Sequence, residues 1–120
     1  MSASNLFDPG PIAELRALDN GGNELVNNLV DMFEKSVKEM LEQLKMATEK
    51  NDLKELSRIA HILKSSSGNL GAVAFSEQCL QMEELILQKH PQALAQVRIR
   101  LTELVGLIEP TLKVLKEHVN

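Results

Sequence analysis

The sequence has no tryptophan or tyrosine, only three phenylalanines (Phe7, Phe33, Phe75) and a single cysteine among its 120 residues. With so few aromatics, a packed interior has to be built from aliphatic side chains and methionine. The unbranched and γ-branched ones among them suit helices better than sheets, which favour β-branched and aromatic residues. The lone Cys79 excludes an intrachain disulfide and fits a reducing cytoplasm or the cytoplasmic side of a larger receptor. No apolar run approaches the roughly 18–20 residues that cross a bilayer. The opening Met1-Ser2-Ala3-Ser4-Asn5 lacks the regions of a signal peptide, so no membrane contact is expected. The net charge of −4 argues against nucleic acid as a partner. There is no alternating strand pattern, internal repeat or low-complexity linker. There is also no G-x-x-x-x-G-K-[ST] loop or other nucleotide-binding glycine motif, and no paired carboxylates or nucleophile–base motif. An autonomous enzyme is therefore not expected.

What is present is helical periodicity. An apolar share of 43% supplies one core, and 120 residues leave too little material for a second. The chain reads as a single domain, with 1–10 as an N-terminal tail that includes an ordered turn at Phe7-Asp8-Pro9-Gly10-Pro11. A short helix from Ile12 to about Leu18 would bury Ile12, Leu15 and Leu18. Asp19-Asn20-Gly21-Gly22 breaks it. From Asn23 to about Lys50, Val26, Leu29, Val30, Phe33, Val37, Met40, Leu41, Leu44 and Ala47 recur in steps of three and four. Asp52 is an N-cap for a helix from Leu53 to about Leu70, and Gly71 is its stop. A further helix runs from about Val73 to Gln88, burying Phe75, Cys79, Met82 and Ile86. His90-Pro91 ends it. The last helix carries Leu94, Val97, Leu101, Leu104, Val105, Ile108, Leu112, Leu115 and Val119, with Pro110 expected to bend or divide it. The expected fold is all-α: an antiparallel up-down four-helix bundle with a short additional N-terminal helix.

One constellation carries chemistry. At about 100° per residue, His61 lies about 160° from Leu63 and about 100° from Ala60, turned away from the core seam. Lys54, Ser57, Arg58, Lys64, Ser65 and Gly68 share its face at steps of three, four and seven. That stripe holds an imidazole, three cations, two hydroxyls and a glycine, with no acid. Anionic phosphoryl oxygens require such donors and charge, and a neutral imidazole is nucleophilic near pH 7. The small run Ser65-Ser66-Ser67-Gly68 favours helix poorly and leaves room for a second protein to come close. The bland alternative is a solvated surface histidine. His90 beside Pro91 and His118 near the C-terminus read as solvated. No metal site is expected from His61, His90, His118 and Cys79, which lack ligand spacing. The five methionines read as core filler, with Met32 or Met40 at a stripe edge able to join a docking surface.

The segment His61-Ile62-Leu63-Lys64-Ser65-Ser66-Ser67-Gly68-Asn69-Leu70-Gly71-Ala72 resembles the signature H-x-L-K-G-S-[SA]-x-x-x-G of histidine-containing phosphotransfer (HPt) domains. His, Leu, Lys, the serines and the distal glycine match in register. In spacing and helix order the resemblance extends over most of residues 22–90. It implies a four-helix bundle whose exposed histidine accepts phosphate from the aspartate of one receiver domain and passes it to another. Carried over, His61 is the phospho-acceptor and Lys64 stabilises the phosphoryl group or the transition state. Gly68 and the serines leave space for the receiver. Glu83 stands where the family often has Gln or a similar polar group near the imidazole. Arg58, Lys54 and Ser57 complete the expected surroundings. Ser65 departs from the family's glycine. The implied partners are receiver domains and a hybrid sensor kinase, met as a cytoplasmic monomer. No cofactor of its own is implied, and Mg²⁺ belongs to the receiver. A helical module that binds a receiver or kinase without transfer is the alternative.

Overall fold

A computed structural model describes residues 6–119; the opening Met1-Ser2-Ala3-Ser4-Asn5 and Asn120 lie outside the described residues. Five helices follow: α1 (Gly10–Leu18), α2 (Glu24–Glu49), α3 (Leu53–Gly68), α4 (Val73–Leu87) and α5 (Ala93–Val119). No strand occurs among the described residues. Each long helix packs on the next, α5 also packs on α2, and α1 lies against α2.

The boundaries have local causes. Asp8 accepts the Gly10 N–H through Oδ1 at 3.0 Å, and Pro11 occupies the first turn, where a missing N–H costs nothing. α1 thus begins two residues ahead of the predicted Ile12. Asn20 and Gly21 turn the chain with φ of 52° and 83°, and the Asp19 carboxylate accepts the Leu25 N–H at the start of α2. Asp52 caps α3 as predicted, accepting the Glu55 N–H at 3.1 Å. Gly71, with φ of 83°, closes α3 by the paired bonds Ala72 N–H to Ser67 O and Gly71 N–H to Gly68 O, both 3.0 Å. These are the two bonds of a Schellman ending. A Cβ on Gly71 would lie 2.0 Å from the Asp8 carbonyl oxygen. Asp8 N–H in turn donates to Gly71 O at 2.8 Å, so the N-terminal stretch is fastened to the α3–α4 turn.

The core takes Val26, Val30, Phe33, Val37 and Leu44 from α2, Leu56, Ile59, Ala60 and Leu63 from α3, Phe75, Cys79 and Met82 from α4, and Val97, Leu104, Leu112 and Leu115 from α5. Phe33 and Phe75 meet edge to face with centroids 5.6 Å apart, a favoured aromatic geometry. Two expected core residues are exposed: Leu18 at 77% and Val105 at 41%. Leu18 falls about 120° around α1 from the buried Ile12, and Val105 about 100° around α5 from the buried Leu104. Within the stretch read as a tail, Leu6 and Phe7 are buried; the Phe7 ring sits 4.4 Å from that of His118, and Arg16 donates to the His118 carbonyl.

Pro110 does not divide α5, which is helical from Ala93 to Val119. Pro110 and Gly106, whose carbonyl the proline leaves without its usual donor, are both exposed, so water can satisfy that carbonyl. The neighbouring Thr111 is 2% exposed and its hydroxyl has no partner.

Candidate functional site

α3 and α4 run antiparallel, because the pairs Gly68–Ser76 and His61–Glu83 lie opposite one another in reverse order. The crossing is tight. Ser76 donates to the Lys64 carbonyl at 3.0 Å, and a Cβ on Gly68 would lie 3.3 Å from Ser76 Oγ. The small size of Gly68 therefore already serves the contact between these two helices. Ser67 is buried, and its hydroxyl donates within α3 to Leu63 O at 2.6 Å. Ser66 is half-buried and Ser65 exposed.

This close approach brings Glu83 against His61. The carboxylate grows from the buried side of α4, next to Met82 and one turn beyond Cys79, and Glu83 is only 9% exposed. Its Oε2 lies 2.7 Å from His61 Nδ1, and its Oε1 accepts from Lys64 Nζ at 2.8 Å. Burial pushes the Glu83 carboxyl up, but the hydrogen bonds from Lys64 and His61 outweigh it and hold the group below the usual carboxylate value. An ionised carboxylate only accepts. Nδ1 must then carry a hydrogen, and in the neutral ring the lone pair is left on Nε2. The His61 side chain is 60% exposed against 11% for Glu83, so most of the ring faces solvent while the carboxylate it meets is buried.

The rest of the predicted stripe is distributed as follows. Arg58 is exposed and holds Glu55 through two bonds, Nε to Oε2 at 3.0 Å and Nη2 to Oε1. The Glu55 hydrogen bond raises the Arg58 pKa, and the Arg58 hydrogen bond lowers that of Glu55. The stripe read as free of acid therefore has Glu55 at its edge and Glu83 at its centre. Glu55 was recoverable from its i, i+3 spacing to Arg58. Lys54 is exposed and Ser57 half-buried. His90 and His118 stand apart: the His90 ring accepts the Gln92 N–H at 3.1 Å, and His118 Nδ1 donates to Val114 O at 3.1 Å. Burial, with the Glu83 charge adding to it, pushes the Cys79 thiol up to about 12, which leaves it unreactive. Among the described residues no group of three His, Cys, Asp or Glu is placed to hold a metal, and no helix is long and apolar enough to cross a membrane.

The sequence did not reveal a groove of about 530 Å³ beside the end of α3. Leu15 and Leu18 of α1, Leu29, Met32 and Phe33 of α2, and Ser66, Gly68 and Leu70 line it. Leu18 and Met32 are 77% and 62% exposed there, whereas Met40 is half-buried against the core.

The Hpt domain family model matches residues 28–112. The chain is 29% identical over 80 residues to the phosphorelay intermediate protein YPD1 of Candida albicans, an alignment covering 67% of this chain and 44% of that protein. The chain thus spans less than half the length of that relative. Histidine-containing phosphotransfer protein B from Pseudomonas aeruginosa PAO1 superposes with a TM-score of 0.62 at 28% identity, over 93% of this chain and 97% of that one. A rice protein described as a histidine-containing phosphotransfer protein shares the fold, with a TM-score of 0.62 at 22% identity over 100% and 90% of the two chains.

Proposed function

The chain belongs to the Hpt domain family, and from that premise we propose that it is a phosphoryl carrier of a two-component phosphorelay, taking phosphate on His61 from the aspartyl phosphate of one receiver domain and giving it to another. The observation that carries this reading is the exposed ring of His61, with its Nδ1 held by Glu83 at 2.7 Å. In the neutral ring that arrangement presents one defined nucleophile. The helices form an antiparallel up-down bundle, one domain, with α1 as the additional N-terminal helix, and α3 carries the ring at its middle. The chain brings no nucleotide loop, so the receiver supplies the phospho-aspartate, the acidic pocket and the Mg²⁺. Attack at phosphorus is in line, and catalysis is positioning plus charge.

Lys64 shares the Glu83 carboxylate with the reacting ring. Its side chain is 26% exposed, and its ammonium can turn from Glu83 to a phosphoryl oxygen. Arg58, Lys54, Ser57 and Ser65 form the polar surroundings, and the groove at Gly68, with the exposed Leu18 and Met32, is the apolar continuation on which the receiver rests. A hybrid sensor kinase is the upstream partner, and the carrier works as a cytoplasmic monomer, the compartment that suits a lone thiol.

Incubation with phosphorylated receivers, followed by mapping of acid-labile, base-stable label, tests the reading. Label on His61, lost in H61Q, is the expected result; label on His90 or His118, or label surviving H61Q, overturns it. One observation favours a second reading, a module that binds a receiver without transfer: Lys64 and Arg58 already hold carboxylates. Binding with no label on any residue would select that one.

A further inference from the structure

We propose that Glu83 is a positioning residue that sets the equilibrium poise of the relay, stabilising the phosphorylated form of His61 relative to the phosphorylated receiver. The inference rests on the phosphotransfer reading above. Its basis is geometric: the buried carboxylate contacts the ring through Oε2 at 2.7 Å and Lys64 through Oε1 at 2.8 Å, so one anion serves two groups that change charge environment during transfer.

The electron and proton balance shows why that matters. The Nε2 lone pair forms the N–P bond while the P–O bond to the receiver's aspartate breaks, and its electron pair stays on the aspartate carboxylate. No proton leaves the ring. Nδ1 keeps its hydrogen, so the ring bearing phosphorus on Nε2 is cationic. The ring that attacks is neutral, so Glu83 accepts from a neutral donor as transfer begins and from a cation across the same contact afterwards. A carboxylate holds a cationic donor more strongly than a neutral one, so its interaction energy grows on phosphorylation. The same change lets Lys64 leave without stranding the carboxylate: as the ammonium turns to the phosphoryl oxygens, the ring takes over as the counter-charge to Glu83. In the return direction the N–P electron pair goes back to Nε2, the ring leaves neutral, and Lys64 re-forms its pair.

A glutamine at 83 keeps the volume and can still accept from Nδ1, but without the charge. The parent and E83Q are each brought to equilibrium with the same phosphorylated receiver, and the ratio of phosphohistidine to phosphoaspartate is measured. Charge-assisted hydrogen bonds are roughly twice as strong as neutral ones, so E83Q should retain about five- to tenfold less phosphohistidine. In parallel, ¹⁵N NMR of His61 in the unphosphorylated parent, at a pH where the ring is neutral, should show hydrogen on Nδ1 and a bare Nε2, a signature that needs neither a variant nor a partner. A ratio in E83Q equal to that of the parent overturns the proposal while leaving phosphotransfer intact, as does hydrogen found on Nε2 of the neutral ring. Failure of the parent to take any label overturns the phosphotransfer reading itself, and the poise with it.

Discussion

Removing Lys64 should cost stability that its place on the helix surface does not suggest. From sequence alone, an exposed lysine one turn from His61 predicts a change of no more than about 0.5 kcal/mol on substitution by alanine. In the structure its ammonium is one of two donors to a carboxylate whose side chain is 11% exposed. A hydrogen bond to a charged group contributes about 1.5–3 kcal/mol, and the partial exposure of Lys64, 26%, reduces that by solvent screening. We expect K64A to lose about 1–2 kcal/mol at pH 7. The loss comes from stranding Glu83, so neutralising that residue should relieve it, and K64A/E83Q should be more stable than K64A alone. The Glu83 carboxyl is held below its ordinary 4.5 in the folded protein. Its stabilising contribution is therefore complete above the unfolded value and disappears as pH falls through the folded one. The gap between the parent and K64A should therefore narrow between pH 7 and pH 3. Urea titration followed by far-UV circular dichroism measures all three proteins, since the chain has no tryptophan to follow by fluorescence. A K64A protein within 0.5 kcal/mol of the parent, or a gap unchanged at pH 3, would refute the reasoning.

Three further outcomes follow from other sites. S65L should largely abolish transfer because it places bulk one turn from His61 on the exposed face, while S65G should bind the same receiver more tightly; transfer kinetics at wild-type speed for S65L would remove this face from docking. G71A should destabilise by about 2–4 kcal/mol, from the left-handed φ and the contact with Asp8 O, and a melt unchanged from the parent would contradict that contact. T111V should raise stability by about 1 kcal/mol, because it removes a buried hydroxyl with no partner, and equal or lower stability would mean the hydroxyl is satisfied.

The helices and most of the core were legible because period and punctuation agreed. The stripe from Val26 to Ala47 is buried or half-buried throughout, and Asp52 and Gly71 act as the cap and stop that their chemistry dictates. Leu18 and Val105 were misplaced because a wheel places a residue at the edge of a face without saying how far the neighbouring helix reaches. Pro110 was over-read because its effect depends on what the freed carbonyl faces, which is a tertiary matter. The bond from Glu83 to both His61 and Lys64 was beyond any wheel, since it depends on how closely α4 crosses α3. Only the family resemblance placed a polar group there. The groove was equally hidden, being assembled from the sides of three helices whose relative placement is a tertiary matter.

The contact between Phe7 and His118, 4.4 Å between rings, makes the path of the described chain almost a closed circuit. A short covalent bridge between those residues would ask little of the backbone, and the circuit could be opened elsewhere, at the left-handed turn around Asn51. Such a permuted chain would start with α3 and finish with α2. Its new ends would emerge at the α2–α3 turn, about 24 Å along α3 from Gly68 at 1.5 Å per residue. A fluorophore or tether attached there would stand well clear of the groove walled by Leu18 and Met32, with the order of helices around His61 unchanged.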